Sequence, residues 1–188
     1  MSIRAIIGTV AVLAGFAVLQ HSVDASTGQS IGQPGSCKAT QAYAQMQPGD
    51  RIVVRAQPTP EAAIVGMLSA DDKSVGLTTA VVSLNSSMSG WARISLATAQ
   101  DYTALDPATP RAFGWIPADQ LAVDSRVNGE ITTYSRPSLI GVVTGKIEPG
   151  NERFRVLGCR GELLQVINAT QGNTWIDKWC SKAEGCRG

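Results

Sequence analysis

Two stretches of this chain repeat one another at a constant offset of 79 residues. With Arg51–Leu68 written above Glu130–Ile147, Ile52 meets Ile131, Pro58 meets Pro137 and Gly66 meets Gly145. Further on, Trp91-Ala-Arg-Ile94 corresponds to Leu163-Leu-Gln-Val166, and Trp115-Ile-Pro117 to Trp175-Ile-Asp177, in the same order. A fixed-order recurrence of strand, proline turn, strand, central strand and Trp-Ile ending means two copies of one supersecondary unit. The boundary between the copies falls near Asp124 to Asn128, giving a first domain over 46–124 and a second over 127–188. Units of this size fold alone only marginally, so a disulfide or a shared interface would help each of them.

Each copy reads as all-β. Short apolar runs alternate with Gly, Pro, Asn, Asp and Ser clusters, and no 3.6-residue stripe is long enough for a substantial helix. Strands are expected at Ile52–Arg55, Ala63–Leu68, Ser74–Leu84, Trp91–Ser95, Phe113–Pro117, Glu130–Tyr134, Gly141–Ile147, Arg153–Leu157, Leu163–Ile167 and Thr174–Asp177. In Arg153-Phe154-Arg155-Val156 the period of two is explicit, with two guanidiniums on one face and two apolar side chains on the other. Pro58 and Pro137 preset φ for turns after the opening strands. Gly66 and Gly145 allow a bend or a close approach in the second strands. Trp91, Trp115 and Trp175 carry large apolar area in a chain poor in other aromatics, and are expected in the cores.

Upstream of the repeat, Arg4 precedes a mostly apolar run from Ala5 to Val18, and Val23-Asp24-Ala25 has the small-residue pattern of a cleavage site. The run falls short of the roughly 20 residues that span a bilayer, so residues 1–25 read as a signal peptide; the rival reading is an uncleaved N-terminal anchor. Residues 26–45 then form a flexible leader, its Ser26–Ser36 stretch being small, polar and glycine-rich. No later segment is apolar enough to form an integral membrane span after cleavage. Loss of residues 1–25 removes Arg4 and Asp24, so the net charge stays at +1. That balance lacks the basic excess of a nucleic-acid binder.

All four cysteines, Cys37, Cys159, Cys180 and Cys186, follow the export segment, as suits an oxidising compartment. Four cysteines allow three pairings, among which sequence does not choose. The expected pair of bridges is Cys180 with Cys186, closing a short C-terminal loop, and Cys37 with Cys159, tying the lead-in to the second domain.

Catalysis is disfavoured by what the chain lacks. His21 is the one histidine and lies in the signal, which removes Cys-His and Ser-His pairs and His-containing zinc sites from the mature protein. No Ser or Thr precedes a Lys by three residues. Neither a catalytic residue, nor a metal site, nor a cofactor is expected.

The first copy resembles the bacterial SH3 (SH3b) family at three landmarks. These are Val54-Arg55-Ala56-Gln57-Pro58, the Gly90-Trp91-Ala92-Arg93-Ile94 strand, and the Gly114-Trp115-Ile116 ending that leads to Leu121. The second copy is similar to a cysteine-bearing form of the same domain, with Tyr134-Ser135 in place of Val-Arg and Leu163 in place of Trp. The resemblance implies two small SH3-like β-barrels in tandem. It further implies a periplasmic or secreted binding module of the cell envelope, with peptidoglycan, a peptide or an envelope protein as partner. A protein–protein scaffold is the alternative, and an unrecognised hydrolase the remaining one.

Four side chains stand out as ligand-binding candidates. Arg55, Tyr134 and Trp179 lie near the opening and closing strands, where SH3-like grooves carry aromatic and charged groups. Tyr102 lies in Ala97–Arg111, an insertion in the first copy that also carries Asp101 and Asp106; long loops on small barrels are often binding elements.

Overall fold

A computed structural model describes residues 35–70, 77–138, 141–182 and 186, all within one compact unit. The expected signal peptide and the first part of the leader lie outside the described residues, as do positions 74–76 of one expected strand.

The protein is all-β and antiparallel. Its strands are β1 (Gly35–Met46), β2 (Arg51–Arg55), β3 (Ile64–Ser69), β4 (Thr78–Met88), β5 (Trp91–Ser95), β6 (Tyr102–Ala104) and β7 (Phe113–Pro117). A 3-10 turn at Ala118–Gln120 leads into β8 (Leu121–Asp124), followed by β9 (Ile131–Tyr134), β10 (Val143–Ile147), β11 (Arg153–Arg160), β12 (Leu163–Asn168) and β13 (Gly172–Ile176). All the expected strands form, with ends moved by a few residues. β1, β6 and β8 are additional to them.

The internal repeat is carried by the pairing itself. In the β2–β3 hairpin Ile52 faces Leu68 and Val54 faces Gly66; in the β9–β10 hairpin Ile131 faces Ile147 and Thr133 faces Gly145, the same partners at the offset of 79. Both hairpins then break register at the same point, pairing Arg55 with Ile64 and Tyr134 with Val143. The next strands repeat at an offset of 72. Leu84 faces Ile94 and, after a bulge, Ser86 faces Arg93, just as Val156 faces Val166 and, after a bulge, Gly158 faces Gln165. The closing strands agree as well: Trp115 lies between Arg55 and Arg93, and Trp175 between Tyr134 and Gln165. A bulge adds one residue and re-aims the strand, so a bulge kept at matching positions keeps the same side chains inside.

The repeats join through β1 and β8. β1 pairs along β4 of the first repeat, β8 pairs with β11 of the second, and the two pair with each other at Tyr43–Ala122 and Ala44–Leu121. Tyr43 faces Val81 and Asp124 faces Arg153; since Val81 and Arg153 are related by the offset of 72, Tyr43 and Asp124 occupy equivalent places in the two repeats. The sheet is thus continuous through a central pair of equivalent strands.

β1 corrects the expected leader. Gly35–Gln45 is not flexible but strand, with Ala42, Tyr43 and Ala44 wholly buried. Its alanines and glutamines look too polar and too small to order a segment by themselves. They are ordered because β4 and β8 supply hydrogen bonds on both sides and the core takes the small faces.

Aliphatic side chains fill the core, among them Val54, Leu84, Ile94 and Ile116 from the first repeat and Ile131, Leu164, Val166 and Ile176 from the second, with Tyr43 and Phe154 as wholly buried aromatics. The tryptophans do not dominate it, contrary to expectation. Ala92 and Ile94 point inward from β5, Ile116 from β7, and Thr174 and Ile176 from β13, so alternation sends Trp91, Trp115 and Trp175 to the other face. Trp115 is nearly covered there, while Trp91 and Trp175 are half-buried.

Both expected disulfides are present, Cys37–Cys159 and Cys180–Cys186. The first fastens the start of β1 to β11 across 122 residues of sequence, and the second closes a loop of six. Disulfide-bonded folds belong to oxidising compartments. Among the described residues no helix is long and apolar enough to cross a membrane.

Candidate functional site

The four candidate side chains do not converge. Arg55 and Tyr134 hold equivalent positions, each beside the closing-strand tryptophan of its own repeat. Arg55 is partly buried and donates from Nη1 to the carbonyl of Ala62 at 2.7 Å, whereas Tyr134 is buried at 9% exposure. Tyr102 belongs to β6, on the far side of β3, and donates from its hydroxyl to the carbonyl of Val65 at 3.1 Å. Trp179 lies against the seam, its indole N–H donating to the carbonyl of Gln41 at 2.9 Å, in a shallow depression shared with Ser83 and Ser181.

The insertion is therefore more than a loop. Its strand β6 pairs with β3 through Ala104–Gly66, Thr103–Met67 and Tyr102–Leu68. Gln100 anchors it further, donating its N–H to the carbonyl of Val81 and accepting the N–H of Val81 on its side chain. Burial holds the Tyr102 hydroxyl above its ordinary pKa.

A concavity of about 840 Å³ lies at the junction of the repeats. Asp119, Gln120, Leu121 and Ala122 form one wall, with the Asp119 carboxylate its one acidic group; Arg153 and Arg155 of β11 and Asn168 at the end of β12 form the other. The expected alternation of β11 is what places both guanidiniums on this side, because Phe154 and Val156 are buried. Arg153 is fixed: Nε donates to the Tyr43 hydroxyl at 3.0 Å and Nη1 to Gln45 Oε1 at 2.6 Å. The Tyr43 hydroxyl in turn donates to the buried carboxylate of Asp124, whose other oxygen lies 3.2 Å from Arg126 Nη2. Burial first, and then the hydrogen bond to and the charge of Asp124, push the Tyr43 phenol up to about 12. It stays a neutral donor at any physiological pH. Arg155, exposed and facing Ala122, has no hydrogen-bond or ion-pair partner among the described residues.

Gln120 also lines a second groove of about 390 Å³, which contains Arg51, Arg55, Pro60, Pro117 and the half-buried ring of Trp91. An apolar floor of Trp and Pro thus leads past an amide to a fixed and a free guanidinium. This geometry suits a ligand with apolar, amide and carboxylate groups in sequence, since Arg presents a planar fork to a carboxylate. Sequence reasoning found Arg55 and the alternation of Arg153 and Arg155, but not their meeting with residues 119–122. The pairing of β8 with β11 creates that wall, and no local pattern signals it.

Fold and site define a disulfide-linked, antiparallel all-β protein built on an internal repeat, with an open polar groove at the junction of its halves. No family model matches the chain, and no curated protein matches it. Among solved structures it is similar to one described as the structure of NlpC2 from Trichomonas vaginalis, at 17% identity, covering 80% of this chain and 52% of that one, with a TM-score of 0.32. The chain thus spans about half the length of that structure. A score so low defines neither a shared fold nor a shared function.

Proposed function

We propose that the protein is an exported, non-enzymatic binding module of the cell envelope. In this reading its two repeats are SH3b-like barrels, and it recognises a carboxylate-bearing peptide, the stem peptides of peptidoglycan being the leading case. The observation that carries the reading is the junction groove: Arg153 is held in place by Tyr43 and Gln45 while Arg155, on the same face, is free to take a ligand. A pre-positioned guanidinium beside an unpaired one binds an anionic group without first breaking its own contacts. The Trp91 groove reached through Gln120 adds apolar area for the rest of the chain bound. Histidine, the commonest acid–base and zinc-binding side chain, occurs in the sequence only at position 21.

The test is retention of the oxidised chain, without residues 1–25, on purified peptidoglycan sacculi at low salt. Arg155 is exposed and has no hydrogen-bond or ion-pair partner among the described residues, so Arg155→Ala is expected to fold; retention is expected to weaken about tenfold, the worth of one charged hydrogen-bonding group. Unchanged retention of the variant would remove the groove from the reading. No retention of the wild type would leave the protein-scaffold alternative, which the outer edge of β10, unpaired among the described residues, favours.

A further inference from the structure

The equivalent strands β3 and β10 differ in what lies beyond them. The outer edge of β3 is occupied by β6: Leu105 N–H donates to the carbonyl of Val65 at 3.0 Å, Ser69 N–H donates to the carbonyl of Asp101 at 3.1 Å, and Thr103 pairs with Met67 between them. The ring of Tyr102 lies over Gly66, where an added Cβ would come within 2.5 Å of it and of the Thr103 carbonyl. Glycine is therefore required at position 66 by the strand laid across it.

β10 repeats this arrangement, and among the described residues nothing occupies the seat. Thr144, Gly145, Lys146 and Ile147 correspond to Val65, Gly66, Met67 and Leu68; Gly145, Lys146 and Ile147 pair with β9 in the register of their counterparts, and Thr144 falls at the same register break as Val65. The main-chain groups that in β3 turn to β6 are the Val65 carbonyl, both groups of Met67 and the Ser69 N–H; in β10 they are the Thr144 carbonyl, both groups of Lys146 and the Glu148 N–H. Among the described residues no strand pairs with that side of β10. A Cβ at Gly145 would touch only Thr133 Oγ1, at 3.4 Å, so nothing of the fold demands a glycine there. Val142 and Val143 are 71% and 54% exposed beside it. The Lys146–Glu130 ion pair is exposed and, linking β10 to its neighbour β9, covers none of the edge.

We infer that the outer edge of β10 is a docking site for an extended segment of a partner protein, added antiparallel as β6 is added to β3, with an aromatic side chain seated over Gly145. The occupant is specified by the internal copy: an aromatic residue opposite Ile147, then a residue opposite Lys146, then a small one opposite Gly145. Main-chain hydrogen bonds give such strand addition its affinity, and the seat for the ring gives it selectivity. The inference does not depend on the junction groove.

The probe is an acetylated and amidated peptide with the sequence of Gln100–Asp106, titrated at up to millimolar concentration into the isotopically labelled, oxidised chain and followed by backbone amide shifts. Shifts are expected at Lys146 and Glu148, with binding about tenfold weaker when the tyrosine of the peptide is alanine, the worth of one aromatic contact. Gly145→Val puts a side chain in the seat, its Cβ meeting Thr133 Oγ1 at 3.4 Å, and is expected to abolish binding. Lys146→Pro removes the outward N–H together with the exposed ion pair to Glu130 and is expected to do the same, whereas Lys146→Ala, which loses the ion pair and keeps the N–H, is expected to bind; the far-ultraviolet spectrum reports that each variant folds. Absence of shifts, shifts confined to β3, or binding unaltered in a folded Gly145→Val would overturn the inference. So would a chain that sediments as a dimer in wild type and as a monomer in Gly145→Val, because the edge would then belong to a second copy.

Discussion

Tyr43 joins three strands with one hydroxyl, which donates to Asp124 of β8 and accepts from Arg153 of β11. Tyr43→Phe keeps the ring and removes both bonds, leaving Asp124 buried with Arg126 as its remaining side-chain partner. A loss of about 1–3 kcal/mol is expected, read as a lower denaturant midpoint at unchanged slope. The phenol also imposes a pH limit. Its folded value of about 12 lies above the unfolded value near 10, so the folded state holds a proton that the unfolded state gives up. Its contribution is complete below pH 10 and declines as pH rises from there through 12. Unfolding midpoints measured between pH 9 and pH 12 should fall, more steeply in the wild type than in Tyr43→Phe; equal slopes would assign the alkaline limit to other groups. Gly66 makes a separate residue-scale case. Gly66→Val drives a side chain into Tyr102 and Thr103 and should release β6, whereas Gly145→Val, at the equivalent position, should leave stability within about 0.5 kcal/mol.

Among elements, β6 has the clearest division of labour. The insertion that carries it is best understood as a cover for the edge of β3, with its chain beyond Ala104 exposed. Unpaired edges template association. Tyr102→Ala should therefore loosen β6 and raise the self-association of the purified chain, measured by sedimentation at increasing concentration; a monomer at all concentrations would count against the covering role. The two hairpins, although equivalent in register, differ correspondingly in exposure: after the exposed Ile64, β3 alternates partly buried and buried residues, while β10 is open except at Ile147 and, in part, Gly145.

At the scale of the molecule, the disulfides divide their work by loop length. Cys37–Cys159 closes 122 residues and holds β1 against the second repeat; Cys180–Cys186 closes six. Chain-entropy estimates give about 4–5 kcal/mol for the long loop and about 2 kcal/mol for the short one. Replacing Cys37 and Cys159 by serine should lower the denaturant midpoint more than replacing Cys180 and Cys186. A reversed order would mean that β1 is held by its ladders with β4 and β8 rather than by the bridge. Sequence by itself determined the all-β class, the strands of both repeats and their equivalence, because these rest on period-two alternation and on proline and glycine positions, which are local. It also supplied the alternation that puts Arg153 and Arg155 together. Only the tertiary structure decided that Gly35–Met46 is a strand, that the tryptophans lie on the outer face, and that Arg55, Tyr102, Tyr134 and Trp179 occupy separate places. It alone made the groove, by pairing β1 with β8 and β8 with β11. The physical reason is that Ala- and Gln-rich β1 has little tendency to order by itself. Its burial and hydrogen bonds come from partners between 32 (Met46 to Thr78) and 79 (Tyr43 to Ala122) residues away, and a contact between such distant positions leaves no periodic mark in the sequence on either side.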